Sequence, residues 1–283
     1  MGAVRRRAHV LTVAVLVASL TGCSHSSGNR PRKALDLGLS SPYESAVLAD
    51  AATALWPLRD ADGLRPLDQV ADIGSAHLAA TVVGGAVTGT SSPAGARAAL
   101  FLRGGRIVTP VSTGLASEDV FSLEFAVRAD ACTTAWGRVL GTTALTANGR
   151  EGVEVLHFPS QFLLNPCRLA VEFWHRGLHL GGCHPAAVPP LGQWIHVAVT
   201  YAAHKVSCYE NGRLVGSQVL RAPAVFSQPG PLGIGGSGSG FQGPLDGASL
   251  SEVALYDHVL TLSQIRSHLA LLRQTTQATP GPS

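Results

Sequence analysis

The fold is decided by a stretch in the second half of the chain, Gly192-Gln-Trp-Ile-His-Val-Ala-Val-Thr-Tyr201 followed by Cys208-Tyr-Glu-Asn-Gly-Arg-Leu-Val215. In its first part, large apolar side chains recur at every second residue from Ile195 to Val199. This period of two is typical of a half-buried β-strand. Asn211-Gly212 then separates two further strand-like runs, and both residues readily adopt the positive φ of a two-residue hairpin turn. The stretch therefore predicts consecutive antiparallel strands.

The same alternation extends towards the N-terminus. In Phe121–Arg128 and again in Arg168–Trp174, every second residue is large and apolar. The 32 glycines and 17 prolines supply turns between short strands, which favours an all-β sandwich or barrel. Only two segments look helical, Ser45–Leu55 and Ser263–Arg273, and we expect Ser263 to be the N-cap of the second.

Composition and charge exclude several classes of protein. The chain has 283 residues, of which 46% are hydrophobic and 14% charged, too apolar a composition for a disordered protein. No uninterrupted apolar run reaches the roughly 18 residues of a transmembrane helix. Arg5, Arg6 and Arg7 account for the whole net charge of +3. The rest of the chain has no excess of basic residues that would indicate a nucleic-acid partner.

The N-terminus carries the features of an exported protein. Three arginines precede an apolar stretch, Val10–Leu20, as in a secretory signal peptide. Leu20-Thr-Gly-Cys23 resembles the bacterial lipobox, in which the cysteine is acylated and the peptide is cleaved before it. The resemblance implies a palmitate-type lipid on Cys23 and attachment to the extracytoplasmic side of the cell membrane, because two or more acyl chains anchor a protein stably. The alternative is ordinary cleavage near Gly22 that leaves Cys23 free.

Composition also divides the chain into segments. We expect a lipoprotein signal peptide at 1–22, a flexible tether at 23–43, one folded domain at 44–272 and a disordered tail at 273–283. The tether is rich in serine and lacks apolar periodicity, and the last residues are polar with Thr, Pro and Gly; both compositions are typical of unfolded linkers.

Three blocks give a family resemblance. They are Ala54-Leu-Trp-Pro-Leu-Arg-Asp60, the stretch from Gly192 to Val215, and a closing block from Pro231 to Ile265 that contains Leu245-Asp-Gly-Ala-Ser-Leu-Ser-Glu-Val-Ala-Leu-Tyr256. In order and spacing they resemble the laminin-G-like members of the concanavalin A-like lectin/glucanase superfamily. The resemblance implies a jelly-roll sandwich of two antiparallel sheets with a short C-terminal helix. It also implies core roles for Trp56, Trp194 and Tyr256.

The superfamily also contains glycosidases, which need two carboxylates facing each other across a cleft. The family motif that supplies them, E-x-D-x-x-E on one strand, is absent here. Glu151 and Glu154 differ by an odd step and should face opposite ways on a strand. We expect Glu124 and Glu172 each to stand alone on a solvent face. The sequence thus predicts no catalytic residue and no enzyme.

Metal-binding patterns are weak as well. Acidic residues gather near the first block, and calcium prefers such oxygen ligands; they are Asp60, Asp62, Asp68 and Asp72, with Asp246 later in the chain. However, the phenylalanine-aspartate-glycine of the family is replaced by Phe101-Leu-Arg-Gly-Gly105. His175, His179 and His184 lie close in sequence, the first two on one face of a strand, but lack the usual zinc spacing. We expect no cofactor or metal, with structural calcium as the alternative.

Four cysteines remain beyond Cys23, at 132, 167, 183 and 208. An even number in an exported chain predicts two disulfides. Cys167 and Cys183 flank a hairpin that should turn near Arg176-Gly177, which favours their pairing and leaves Cys132 with Cys208. Cys167 and Cys208 share the inward parity of their strands, so their pairing stays open too.

The candidate binding face centres on Trp174. Glu172 and Trp174 should point away from the core side of their strand, and Trp136 lies in a nearby loop. An outward tryptophan beside a carboxylate suits sugar recognition, by stacking and hydrogen bonding. The alternative is that a loop within 142–166 covers Trp174.

The leading interpretation is a non-enzymatic, surface-tethered lipoprotein whose domain binds a glycan or an envelope protein. The alternative is a structural or docking accessory lipoprotein of an envelope complex without a small ligand, and a glycoside-active enzyme comes third. We expect a monomer whose contact with the membrane runs through the lipid anchor alone.

The lipid anchor can be tested at Cys23. We expect the intact protein to enter the detergent-rich phase of a Triton X-114 partition and the variant Cys23→Ala to stay in the aqueous phase, because only a cysteine sulfur can be acylated there. Mass spectrometry of the N-terminus should show acyl chains on Cys23. Ser24→Ala is the matched control and should partition like the wild type. A wild-type protein found unmodified in the aqueous phase would contradict the prediction.

Overall fold

The computed structural model describes residues 41–59, 64, 68–94, 97–102, 104–109, 120–132, 137–157, 168–184, 190–224, 230–239, 245 and 247–277. All of them belong to one compact unit, Leu37–Ser283. The predicted signal peptide, Cys23 and most of the tether lie outside the described residues. Within these ranges, neither helix is long and apolar enough to cross a membrane.

The described residues form seventeen strands and two helices. The helices are α1 (Pro42–Ala49) and α2 (Leu262–Gln277). The strands are β1 (Ala54–Trp56), β2 (Gln69–Val70), β3 (Ala80–Val83), β4 (Ala86–Ser91), β5 (Arg97–Leu102), β6 (Arg106–Val108), β7 (Val120–Ala129), β8 (Gly137–Gly141), β9 (Ala144–Thr146), β10 (Gly149–His157), β11 (Leu169–His175), β12 (Leu178–Cys183), β13 (Ile195–Ala202), β14 (Lys205–Glu210), β15 (Arg213–Val219), β16 (Gly233–Ile234) and β17 (Ala248–Tyr256).

The strands form two sheets, which we call sheet A and sheet B. Sheet A has the order β15-β14-β13-β7-β17-β5-β4, with β1 beside β17. Sheet B has the order β12-β11-β10-β8-β16-β6-β3-β2, with β9 beside β10. The strand pairs are antiparallel, as in Ile195 opposite Val127 and Val155 opposite Val171. The predicted two-sheet sandwich is confirmed.

The sheets enclose one apolar core, as the period of two predicts. Phe121 and Tyr201 of sheet A stack with ring centroids 5.3 Å apart, and Phe173 of sheet B lies 5.6 Å from Tyr201. Trp56 is fully buried in this core, and its indole N–H donates a 2.9 Å hydrogen bond to the Leu78 carbonyl. The predicted hairpin turn is also present, since both Asn211 and Gly212 have positive φ.

A second apolar layer joins the two helices to the outer face of sheet A. It includes Tyr43 and Val47 of α1, Ile265 and Leu272 of α2, and Ala126, Ala198, Ala254 and Tyr256 of the sheet. Small alanine side chains on the strands let the helices approach closely. Tyr256 is buried here, as expected, and Trp194 packs at the margin of this layer, only partly buried.

Both helix boundaries differ from the prediction. α1 begins earlier, because Ser41 and Glu44 form a reciprocal capping box and proline occupies the first helical position. It also ends earlier, at Ala49, and Ala54–Trp56 is the strand β1. At α2 the cap is Thr261 rather than Ser263, since Gln264 N–H donates to Thr261 Oγ1. α2 also continues to Gln277, so the first residues of the expected disordered tail are helical.

Glu124 is the polar centre of the helix-covered layer, where a solvent-exposed position was expected. Its side chain is fully buried. Tyr256 Oη donates a 2.9 Å hydrogen bond to Glu124 Oε2, His268 Nδ1 lies 2.9 Å from that same oxygen, and His196 Nε2 contacts Oε1. These four residues, the Glu124 cluster, link β7, β13, β17 and α2. His268 Nε2 also lies 3.1 Å from Asp50 Oδ2, at the end of α1.

The charges of this cluster stabilise each other. Burial alone would raise the pKa of the Glu124 carboxyl, but the His196 and His268 imidazoles lower it to about 2. Burial would lower the pKa of His268, yet its hydrogen bond to Glu124 and the charges of Glu124 and Asp50 raise it above the ordinary value. Each of the two charges thus favours the ionised form of the other.

Glu252 provides a contrast in the same layer. It lies at a β-bulge of β17, with φ of 56°, and it is fully buried. Among the described residues, neither carboxyl oxygen has a hydrogen-bond partner. Burial raises the pKa of Glu252 well above its ordinary value, which favours the neutral carboxyl.

We expect Glu124→Gln to lower the free energy of unfolding by about 3–5 kcal/mol at a pH between 4.5 and 6.5, because it leaves the buried His268 without its charged partner. The control is Asp257→Asn, which removes an exposed carboxylate (67% accessible) and should change stability little. Urea denaturation followed by circular dichroism measures both.

The stability contributed by the Glu124 cluster should also depend on pH. The pKa of the Glu124 carboxyl is lower in the folded state, so this residue stabilises the protein above its unfolded pKa of 4.5. That stability is lost as pH falls towards about 2. The pKa of His268 is higher in the folded state, so this residue stabilises the protein below its unfolded pKa of 6.5. That stability is lost as pH rises through the pKa of the folded state. The difference between wild type and Glu124→Gln should therefore peak between these two unfolded values. A difference independent of pH would contradict this account.

Candidate functional site

The helices cover the outer face of sheet A. On the outer face of sheet B, charged and aromatic side chains gather on β8, β10 and β11. We call five of them the outer-face cluster: Arg138, Arg150, Glu154, Glu172 and Trp174. Glu154 lies directly opposite Glu172 in the register of β10 and β11. Glu172 was expected to stand alone on its face, but Glu154 lies beside it there.

Glu154 is the buried centre of this cluster. Its side chain is fully enclosed, and Arg138 Nε lies 2.9 Å from Oε2 while Arg150 contacts Oε1. Burial lowers the pKa of both guanidinium groups to about 10, so both remain protonated at neutral pH. One Arg138 nitrogen, Nη1, is buried and has no hydrogen-bond partner in the part of the chain that the structure describes. The cluster is therefore a fixed array of charges, in which one carboxylate positions two cations.

Trp174 forms the rim of the cluster. It is half-buried, and its indole N–H donates a 3.3 Å hydrogen bond to Glu172 Oε2. The Arg150 guanidinium carbon lies 4.1 Å from the Trp174 ring centroid, a cation–π distance. The outward direction predicted for Glu172 and Trp174 is confirmed. The ring is neither a free platform nor wholly covered, and Trp136 lies outside the described residues.

Two histidines extend the cluster towards the edge of sheet B. One ligand atom from each of Glu172, His179 and His184 lies within 4.8 Å of the others. The register pairs His179 with Trp174 and His175 with Leu178, so His175 lies on the opposite face from His179, contrary to the prediction. The hairpin turns at Arg176-Gly177, both with positive φ, as expected.

A disulfide joins the two sheets beside these histidines. Cys183 of β12 is bonded to Cys208 of β14. The favoured pairing of Cys167 with Cys183 is therefore wrong, and so is that of Cys208 with either Cys132 or Cys167. The reason is that β12 is the edge strand of sheet B, while β14 lies next to the edge strand β15 of sheet A, and these two edges meet at the same side of the sandwich. Cys132 is also disulfide-bonded, and Cys167 lies outside the described residues.

Asp72, one of the acidic residues near the first strand, has a structural role. Asp72 Oδ1 accepts hydrogen bonds of 2.7 Å from the amides of Leu55 and Gly74, and Oδ2 accepts one from Leu78. A carboxylate with both oxygens used in this way folds the loop rather than serving as a ready calcium ligand. Asp60, Asp62 and Asp246 lie outside the described residues.

Sequence reasoning missed Arg138, Arg150 and Glu154. A signal was available, because Arg138 and Glu154 interrupt the otherwise apolar runs Gly137–Gly141 and Val153–Leu156. A charged residue within such a run indicates a buried partner of opposite charge. The sequence alone could not show that Arg138 and Glu154 are partners, because this depends on how β8 and β10 pair.

Comparison with known proteins places this architecture in a family. Residues 103–266, more than half of the chain, match the Laminin_G_3 family model, described as the concanavalin A-like lectin/glucanases superfamily. The chain belongs to this family. No curated protein matches it significantly.

Solved structures of low sequence identity share the fold of this laminin-G-type chain. Domain 4 of an extracellular GH43 arabinanase from Geobacillus stearothermophilus, in complex with arabinotriose, has a TM-score of 0.59 at 19% identity, over 77% of this chain and 98% of that one. A mutant Trypanosoma rangeli sialidase displaying trans-sialidase activity has a TM-score of 0.58 at 19% identity, over 86% of this chain and 37% of that one.

A third structure is that sialidase in complex with sialic acid, with a TM-score of 0.55 at 18% identity, over 82% of this chain and 34% of that one. The chain thus spans only about a third of the length of the sialidases.

Proposed function

We propose that this protein is a non-enzymatic recognition module that binds a glycan on the outer face of sheet B. The observation that carries the proposal is the half-buried Trp174, fixed by Glu172 and Arg150 next to an enclosed array of charges. Ligand sites commonly combine an aromatic surface with a few fixed polar groups. The proposed anchor at Cys23 would present this face outside the cell membrane.

The arrangement suits a sugar for two physical reasons. The exposed part of the Trp174 ring offers an apolar surface to sugar C–H groups, and its rotation is restricted by the hydrogen bond to Glu172. Carboxylate and guanidinium groups form charge-assisted hydrogen bonds, which are stronger than those between neutral groups. Glu172, only 12% accessible, is poised at the border between the buried charges and solvent.

Two further observations support a binding rather than a catalytic role. The arabinanase domain that shares this fold was solved in complex with arabinotriose, and it covers only one domain of that enzyme. In the present chain, Glu154 is enclosed and held by two guanidinium groups. A general acid must give a proton to the substrate, whereas both carboxylate oxygens of Glu154 are already engaged by guanidinium groups and enclosed.

A protein ligand is the second candidate, favoured by exposed apolar residues near the cluster. Leu145 of β9 is 64% exposed, and Leu178 at the start of β12 is 68% exposed. Their hairpins are neighbours, since the backbones of Gly149 and Gly177 approach closely. Exposed apolar groups beside a polar site are common in protein interfaces.

The glycan proposal is tested by binding of the full chain, disulfides intact, to an array of glycans and cell-wall polysaccharides. We expect saturable binding to at least one glycan, and at least a tenfold loss in Trp174→Ala, equivalent to about 1.4 kcal/mol. The matched control is Trp194→Ala, because Trp194 is also half-buried beside an arginine, with Arg128 5.4 Å from its ring, but lies on sheet A.

Equal losses in both tryptophan variants would contradict the assigned face. Failure of the folded wild type to bind any glycan would contradict glycan recognition and favour the protein ligand. In that case crosslinking in the cell envelope, compared between wild type and Leu178→Ser, would test whether the exposed leucines contact a protein.

A further inference from the structure

Glu172, His179 and His184 form a cluster of metal-binding side chains at the edge of sheet B. Glu172 lies on β11, His179 on β12, and His184 directly follows β12. Glu172 Oε1 and His184 Nε2 are 3.9 Å apart, and one ligand atom from each of the three residues lies within 4.8 Å of the others. Tetrahedral zinc ligands at about 2.0–2.2 Å from the ion lie about 3.3–3.6 Å from each other. Small side-chain rotations would therefore close the group around one ion.

We propose that Glu172, His179 and His184 bind one zinc ion. Two imidazole nitrogens and one carboxylate oxygen are the ligand set of open tetrahedral zinc sites, in which the fourth position is left to water or an external ligand. His184 is 40% accessible, which leaves that side of the group open to solvent. The proposal does not depend on glycan binding.

The state of His179 supports this assignment. Its Nε2 is buried and, among the described residues, has no hydrogen-bond partner. Such a buried polar atom is unfavourable unless something binds it. A metal ion bound at this nitrogen would supply the missing partner.

The backbone around these residues is fixed from both sheets. The disulfide from Cys183 to Cys208 anchors the residue before His184 to sheet A. Gly182, directly opposite Glu172, donates a 2.7 Å hydrogen bond to Gln218 Oε1 of β15. A side chain at Gly182 would collide with the Val171 carbonyl. The three residues are thus held near each other before any ion arrives, which lowers the entropic cost of binding.

The test is titration of the full chain, freed of metal with EDTA, with zinc chloride alone in an isothermal calorimeter. We expect one ion per chain and a rise in melting temperature on binding, because an ion that binds only the folded state stabilises it. His179→Ala and His184→Ala should each weaken binding at least about tenfold, in line with losses seen around metal sites. Glu172→Gln should weaken it in the same direction.

The matched control is His204→Asn. His204 is exposed on the β13–β14 turn with positive φ, a conformation that asparagine tolerates, so this variant should bind zinc like the wild type. If His179→Ala fails to fold, the more accessible His184→Ala decides alone. A wild type that binds no zinc, or a folded His184→Ala with unchanged affinity, would overturn the proposal. Neither outcome changes the glycan experiment, which uses no added metal.

Discussion

The Glu124 carboxylate has no contact with solvent, yet it holds one side chain from each of β13, β17 and α2. An isolated buried charge would be prohibitively costly, so this residue is stable only while its partners remain in place. The ion pair of His268 with Asp50 brings the end of α1 into the same network. Attachment of the helices to sheet A therefore rests on electrostatic pairing as well as on the apolar contacts between them.

This attachment decides which surface is available for function. With α1 and α2 packed on the outer face of sheet A, the polar residues beneath them, Glu124 and His196, are used internally. The outer face of sheet B carries a second buried ion-pair group around Glu154, but there the charges reach a half-buried tryptophan and an accessible histidine. Both faces thus contain buried ion pairs. Those on sheet A bind the helices, and those on sheet B support a proposed ligand site. The Cys183–Cys208 disulfide joins the sheets beside that site.

Much of the fold could be predicted from the sequence because its signals are local. Alternation in Ile195–Val199 and the Asn211-Gly212 turn require no knowledge of distant residues, and the family blocks supplied the two-sheet arrangement. The outward direction of Trp174 follows from parity alone. The cap at Thr261 was missed because Ser263 is also a good N-cap residue. Each of these predictions depends only on residues that are close together in the sequence.

The remaining features depend on contacts between distant segments. Parity placed Glu124 on the face opposite the core, which is correct, but the sequence did not show that helices cover this face. The partners of Glu154 and Cys183 follow from which strands become neighbours. The approach of His179 to Glu172 depends on a register shift between Phe173 and Trp174, which no local pattern indicates.

We propose that ligands bind this protein on sheet B and not on the helix-covered face of sheet A. This can be tested by following the indole N–H resonances of the tryptophans by NMR while the full chain is titrated with the glycan fragment that it binds best. We expect the Trp174 resonance to move in proportion to saturation, while those of Trp56 in the core and Trp194 beside sheet A stay in place. Movement of Trp194 with a stationary Trp174 would contradict it.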